Sequence, residues 1–509
     1  MLSQLASLFC LTTIALAVTV GPVATLTVAN QQVSPDGFSR AASLVNGVNP
    51  GPIIAVKKGD KLQVNVVNNL SDPNQLRSLS MHWHGVLQKG TSSMDGAVGV
   101  TQCPIAPDNS FQYVFNADIA GTYWYHSHFE VQYCDGVRGA LIVYDPNDPS
   151  KDLYDVDDET TIVTLSEWYH ALAPSISGIP LADATLINGH GRYPTGPSSD
   201  LAIINVVGGK RYRLRLISIS CDPDFTFSID GHNITIIEVE SVNVQPYTVN
   251  TVRLLAGQRY SAVLNADQPT ANYWIRALPI SGNRGLNSTF TNGVNSAVLR
   301  YKDAPIADPT TTQQTYKNKL VETSLYPLSS SPAPGNPTPD GAEYVFNITM
   351  GFNPDTFRFN INGLIFIPPT VPVLLQIMSG ARTAQELLPT GSVFVVERNK
   401  THTFSVIRSA DSGTFSFLNP IRRDVVNTGE TEGDYTSIRF RTDNPGPWIL
   451  HCHIDFHLHE GLALVFAEAP DQTVPLDPLQ PAEWDQLCPT WDALPDDIKH
   501  ASVVPTASV

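Results

Sequence analysis

Three short stretches of this 509-residue chain gather imidazoles at a spacing that suits a metal: His82-Trp83-His84, His126-Ser127-His128 and His451-Cys452-His453, the last followed by His457. On a β-strand, residues i and i+2 share a face, so each His-x-His pair presents two imidazoles together. The third stretch places Cys452 on the opposite face, so one strand would touch two metal sites with a short covalent path between them. Three such pairs, one enclosing a cysteine, make chance a poor explanation. Thiolate with imidazole selects soft or borderline metals and is the ligand type of blue-copper electron-transfer sites. Zinc takes the same ligands, but it carries no electrons, and the shared strand would then serve no purpose.

The remaining cysteines point the same way. Residues Leu5 to Val20 are apolar and uncharged, and Ala15-Leu16-Ala17 offers small residues for cleavage, so residues 1–17 are expected to be an export signal with Val18 at the mature terminus. The run is short for a membrane span and lacks flanking charges, and no later segment is long enough to cross a bilayer. Cys10 leaves with the signal. Cys103, Cys134, Cys221, Cys452 and Cys488 remain, an odd number for an oxidising compartment. Cys452, flanked by histidines, is the metal-ligand candidate, and the other four are disulfide candidates. Sugar-acceptor tripeptides at Asn69, Asn233, Asn287, Asn347 and Asn399 agree with a secreted, extracellular glycoprotein.

The elements that must carry these residues show a period of two. Leu62, Val64 and Val66 alternate with Gln63 and Asn65; Phe111, Tyr113 and Phe115 repeat the pattern; Tyr212, Leu214 and Leu216 alternate with Arg213 and Arg215. Each predicts a strand with one buried face. Proline and glycine punctuate them, with 39 Pro in the chain, as a sandwich or barrel requires. Helices are expected chiefly over Ala381 to Leu388 and Glu483 to Leu487. Boundaries near Asp145 to Pro149 and near Asp303 to Pro309 divide the chain into three β-domains, 18–148, 149–305 and 306–509. A net charge of −17 would repel phosphate backbones and argues against nucleic acid as a partner.

Over nearly the whole mature chain the sequence resembles the fungal laccases, within the multicopper oxidases. The resemblance rests on His82-Trp83-His84-Gly85, Thr101-Gln102-Cys103-Pro104-Ile105, Trp124-Tyr125-His126-Ser127-His128, Gln132-Tyr133-Cys134-Asp135-Gly136 and His451-Cys452-His453-Ile454-Asp455, in that order. It implies an all-β fold of three cupredoxin-like Greek-key sandwich or barrel domains. It further implies a monomer without a membrane partner, acting on small phenols and dioxygen, with four coppers. A type 1 copper would take electrons from phenols one at a time, and a type 2/type 3 cluster would reduce dioxygen to water. By position, His82 would bind type 2 copper and His84, His126, His128, His451 and His453 the type 3 pair. Cys452 and His457 would bind type 1 copper, with Leu462 as a non-ligand at its axial position. Disulfides would join Cys103 to Cys488 and Cys134 to Cys221. Asp222 falls where laccases place the carboxylate that accepts the phenol proton; alternatively, preceding Pro223, it shapes a turn. Asp95 either supports proton delivery near the cluster or forms a turn with Gly96.

One departure is large. Laccases carry a further motif, H-P-x-H-L-H-G-H-x-F, that supplies one ligand each to the type 1, type 2 and type 3 coppers. The corresponding stretch here is Glu397-Arg398-Asn399-Lys400-Thr401-His402-Thr403-Phe404. Its flanks, Leu388 to Ser392 and Val406 to Ala410, still resemble laccase, so a segment carrying three copper ligands is expected to be missing. His84, His126 and His453 would remain as a complete three-histidine site, while type 1 copper would keep only Cys452 and His457. His402 is the only local substitute. Two expectations follow: a laccase lacking a segment, or a secreted copper-binding glycoprotein that is catalytically silent.

Overall fold

The computed structural model describes residues 18–280, 293–389, 391–406, 416–429, 436–477 and 482–502, without the side chains of 402–406. The expected export signal and Asn287 lie outside the described residues. No helix among them is long and apolar enough to cross a membrane.

Strand Lys61–Asn69 behaves as its alternation predicts: Leu62, Val64 and Val66 are fully buried while Lys61 is exposed. Burying each such side chain contributes roughly 1.5–3 kcal/mol. The strand pairs in parallel with Val23–Val33 and antiparallel with Ser110–Asn116, whose Phe111, Tyr113 and Phe115 enter the same core. Arg40–Val45 completes this four-stranded sheet. A five-stranded sheet belongs to the same group, in the order Thr19–Val20, Gly51–Lys57, Arg138–Tyr144, Gly121–His126 and His82–His84. The last is an edge strand. Trp83 is fully buried in the core shared with Leu62 and Tyr125, and the pleat therefore turns His82 and His84 to the other face.

A second group comprises a six-stranded and a five-stranded sheet around one core that includes Leu214, Phe225, Phe227, Tyr260 and Ile275. Its strand Arg211–Ser218 departs from the expected one-sided burial, because Arg213 and Arg215 are buried as well. Ion pairs explain the difference: Arg213 meets Asp148 at 2.6 Å and Glu238 at 2.8 Å, and Arg215 meets Asp157 at 2.8 Å. A buried guanidinium is tolerated where carboxylates replace its hydration.

The third group is smaller in every sheet. Tyr344–Ile348, Thr401–Val406 and Thr436–Arg441 form one sheet, Met350–Asn353 and Arg358–Ile361 a hairpin, and Val393–Val396, Ala463–Glu468 and Gly446–His451 a third sheet. The helix expected over Ala381 to Leu388 is not formed. There Glu386 folds back to accept from the Arg382 and Thr383 amides, a local turn that competes with helix, and the helix lies upstream at Val373–Met378. Helix Ala482–Asp492 contains the expected Glu483 to Leu487. Disulfide Cys103–Cys488 ties that helix to the first group, Cys134–Cys221 ties the first group to the second, and Cys452 is the free cysteine among the described residues.

Candidate metal centre

Strand His82–His84 pairs antiparallel with Gly121–His126 so that His82 stands opposite His126 and His84 opposite Trp124. This register sets the candidate ligand atoms of His82, His84 and His126 within 4.8 Å of one another. His128 lies beyond the end of its strand, and His451 ends the strand Gly446–His451, so the single strand expected to carry His451 to His453 stops at its first residue. The chain stays extended enough for Cys452 N to donate to Leu462 O at 3.1 Å, and the opposed facing persists. His451 Nε2 comes within 3.4 Å of His128 Nε2, and His453 Nε2 within 3.1 Å of His84 Nδ1. Cys452 instead packs with the apolar cluster of Leu462 and Leu464.

Six imidazoles from residues more than three hundred positions apart thus share one pocket. Trp124 floors it, its ring centroid 4.2 Å from that of His126 and 5.1 Å from that of His84. Sequence reasoning assigned His84, His126 and His453 as a complete site; the geometry groups His82 with His84 and His126 as well. Burial holds His84 and His451 down to about 4. Burial, and then the neighbouring imidazoles, holds His126, His128 and His453 well below the ordinary value. These five rings are therefore neutral and carry lone pairs near pH 7, the state a metal requires. The fit to a cation shows in His126, whose Nε2 is buried with no partner while its Nδ1 bonds Ser127 O at 2.8 Å. A buried orphan nitrogen beside five other imidazoles suits copper, which takes imidazole readily.

The second pocket holds less. Cys452 Sγ lies 3.5 Å from His457 Nδ1, and Leu462, whose amide bonds His457 O at 3.0 Å, is buried beside them. Phe359 lies tilted against His457 with centroids 4.2 Å apart. Burial pushes the Cys452 thiol up to about 11 and His457 down to about 4. Two candidate ligands are present here among the described residues, one short of a trigonal His₂Cys set. His402 is placed only by its backbone, paired between Tyr344 and Phe440. Of the other histidines, His170 bonds Asp36 at 2.7 Å, His232 is satisfied by Asp230 O and Tyr301, and His459 and His500 are exposed.

Asp222 is buried and accepts from Tyr169 OH at 3.5 Å, while its amide bonds Ser220 Oγ at 3.3 Å within the turn before Pro223. Burial, and then Glu167, raise its carboxyl to about 8, so it is protonated in acid and becomes an acceptor only near or above that pH. Asp95 does two things. Its carbonyl accepts from His82 Nδ1 at 2.7 Å with its carboxylate 3.5 Å from the same atom, and it precedes Gly96, whose φ of 86° brings the chain against the Met81 carbonyl where a Cβ would overlap. Burial raises its carboxyl. Sequence reasoning missed Asp424, which meets His84 Nε2 at 3.0 Å, and the Tyr133 hydroxyl, 3.3 Å from His453 Nδ1. Tyr133 lay inside a quoted motif; nothing around Asp424 marked it.

Residues 27–148, 159–304 and 392–472 each match the multicopper oxidase family. The chain is 54% identical to Laccase-4 of Trametes villosa over 501 residues, covering 93% of this chain and 95% of that one. It is 51% identical to Laccase-2 of Pleurotus ostreatus over 519 residues, with 96% of each covered. The solved laccase of Botrytis aclada has a TM-score of 0.79 at 31% identity, covering 94% of this chain and 92% of that one. Sharing half its sequence with the fungal laccases and the cupredoxin-type β fold of their solved structures, this chain belongs to the multicopper oxidases and is an oxidoreductase of laccase type that uses copper.

Proposed function

We propose that this chain is built to oxidise small phenols by one electron each, coupled to the four-electron reduction of dioxygen to water, and that it lacks a segment supplying three copper ligands. As it stands it then holds fewer than four coppers and turns over little or not at all. The observation that carries the first half is the convergence of His82, His84, His126, His128, His451 and His453 on one buried pocket, with Cys452 joined to two of them through the backbone and facing away.

The second half rests on three observations. Among the described residues the Cys452 pocket has two candidate ligands. The alignment with the Trametes villosa relative runs over 501 positions while drawing on 93% of a 509-residue chain, so this chain leaves many positions unfilled. Among the described residues the third group of sheets has three, two and three strands where the second has six and five, and Phe352, Ile367 and Leu418 are exposed there at 45%, 62% and 75%.

Copper, when bound, would accept the phenol's electron and deliver electrons to dioxygen. The residues then divide the work. His82 is assigned to type 2 copper, the other five imidazoles to the type 3 pair, and Cys452 with His457 to type 1, beside the non-ligand Leu462. Asp222, when ionised, accepts the proton that a phenol sheds on losing an electron, and Tyr169 holds the carboxylate in place. Asp95 fixes the His82 ring through its carbonyl. The division into 18–148, 149–305 and 306–509, export after Ala17, a monomeric state and sugar on the exposed Asn69, Asn233, Asn347 and Asn399 belong to the same reading.

The test is to insert a laccase-type H-P-x-H-L-H-G segment between Lys400 and His402 and to compare phenol-dependent oxygen uptake by both copper-loaded chains. Uptake by the repaired chain alone is expected. Equal uptake by the two would show the ligand assignment wrong. No uptake by either, with the repaired chain folded and fully metallated, would favour a silent copper-binding glycoprotein.

A further inference from the structure

The histidines of the pocket are oriented in two different ways. His82 Nδ1 bonds Asp95 O at 2.7 Å, His126 Nδ1 bonds Ser127 O at 2.8 Å, His451 Nδ1 bonds Cys452 O at 2.8 Å, and His453 Nδ1 lies 3.3 Å from Tyr133 OH. In each, an uncharged oxygen engages Nδ1 and leaves Nε2 for the pocket. His84 is reversed. Its Nε2 meets a carboxylate, Asp424 Oδ1, at 3.0 Å, and its Nδ1 points inward, 3.1 Å from His453 Nε2.

We propose that Asp424, clamped by Arg259, is the positioning residue that holds His84 in the Nε2–H form with its Nδ1 lone pair aimed into the metal pocket. This rests on the reading of His84 as a ligand. An ionised carboxylate can only accept hydrogen bonds, so Nε2 must carry the proton and Nδ1 must be bare. Asp424 is kept ionised and still by a bidentate pair with Arg259, Nη1 to Oδ1 at 2.5 Å and Nη2 to Oδ2 at 2.7 Å. Arg259 is fully buried and is itself fixed by Thr122 O at 2.8 Å and Gly257 O at 3.0 Å. The Asp424 amide donates to Glu240 Oε2 at 2.6 Å, which sets the direction of the side chain. Three distant parts of the chain thereby meet at one ring: His84 from the first group of sheets, Arg259 and Glu240 from the second, and Asp424 from the stretch 416–429. A carboxylate on the outer nitrogen of a ligating imidazole fixes both its tautomer and its ring plane.

Two measurements test this on the full chain. Long-range proton–nitrogen NMR of the metal-free protein, with ¹⁵N-labelled histidine and His84 assigned from a His84→Ala sample, should show Nε2 protonated and Nδ1 bare. Zn²⁺ affinity, measured against a chromogenic chelator, should fall about 10–100-fold in Asp424→Ala. Asp424→Asn should lose less, because an amide oxygen can still accept from Nε2. Glu322→Gln, which loosens the same interface through Arg423 and Tyr260 without touching Asp424, should leave tautomer and affinity unchanged. A protonated Nδ1 in the unaltered chain would overturn the proposal, and so would unchanged affinity in a folded Asp424→Ala protein while His84→Ala binds weakly. If His84→Ala also binds as before, the reading of His84 as a ligand fails first.

Discussion

The two candidate metal pockets lie on either side of Cys452 and differ in how they are built. The histidine pocket draws six rings from three strands and the residues just beyond them, and five of those rings have a second nitrogen engaged by a carbonyl, a phenol or a carboxylate. Among the described residues the Cys452 pocket has one thiol, one imidazole and an apolar wall, and it stands on the group of sheets with the fewest strands. The difference teaches that redundancy protects a site. In a pocket assembled from both ends of the chain, five of the six rings are anchored separately, so the loss of one contributor leaves most of the others held in place. The Cys452 pocket offers two candidate ligands among the described residues, so the loss of either would leave no substitute there.

The comparison breaks most visibly in copper content. The chain as it stands should bind fewer than four coppers and show no intense blue band, because that colour needs a thiolate and two imidazoles around one ion. His126→Ala should remove most of the bound copper, whereas His457→Ala should remove little. Metal analysis with absorption spectra decides both, and a strong blue band would mean that a further residue completes the Cys452 pocket.

Acidity sharpens the contrast next. The Asp222 carboxyl is raised from 3.8 to about 8, so the folded state binds a proton that the unfolded state has lost across that window. Its stabilising contribution is present below about pH 4 and is lost as the pH rises toward 8. Asp222→Asn should accordingly match the unaltered chain at pH 4 and become more stable above it, by at most about 1.4 kcal/mol per pH unit. Denaturant unfolding at pH 4, 6 and 8 measures this; a constant difference across the three would contradict it.

The histidine pocket has the opposite sign. His451 is lowered from 6.5 to about 4, so the unfolded chain takes up its proton first. Stability should be full above about pH 6.5 and should fall as the pH drops toward 4, by about 1.4 kcal/mol per unit for each such ring. In the metal-free protein His451→Gln should flatten that slope, and an unchanged slope would show that the ring is solvated. The smallest effect expected is on thiol count. Denatured, unreduced, metal-stripped protein should show one free thiol, lost in Cys452→Ser; zero or three would contradict the pairing of the other four cysteines.

The strand alternations, the three histidine motifs and the odd cysteine were legible because each is a local pattern read against a fixed period. Lys61–Asn69 and Ser110–Asn116 buried the residues that their alternation marked, and His82, His84 and His126 met through strand register, while His128 and His453 lie just beyond their strands. The helix at Ala381 to Leu388 misled because apolar spacing does not record that Glu386 can satisfy two amides in a turn. Arg213 and Arg215 misled because a strand's own sequence does not show whether carboxylates wait on the far side.

By itself, then, the order of residues determined which side chains could bind metal, which face of each strand was apolar, and that one histidine, His402, stands between Glu397 and Phe404, since these depend on identity and spacing alone. Tertiary structure decided the rest: that His82 joins His84 and His126, that the Asp222 carboxyl is held near pH 8 by burial and Glu167, and that Asp424 reaches His84 across 340 residues. Burial and through-space charge are properties of neighbours, and a chain acquires its neighbours only by folding.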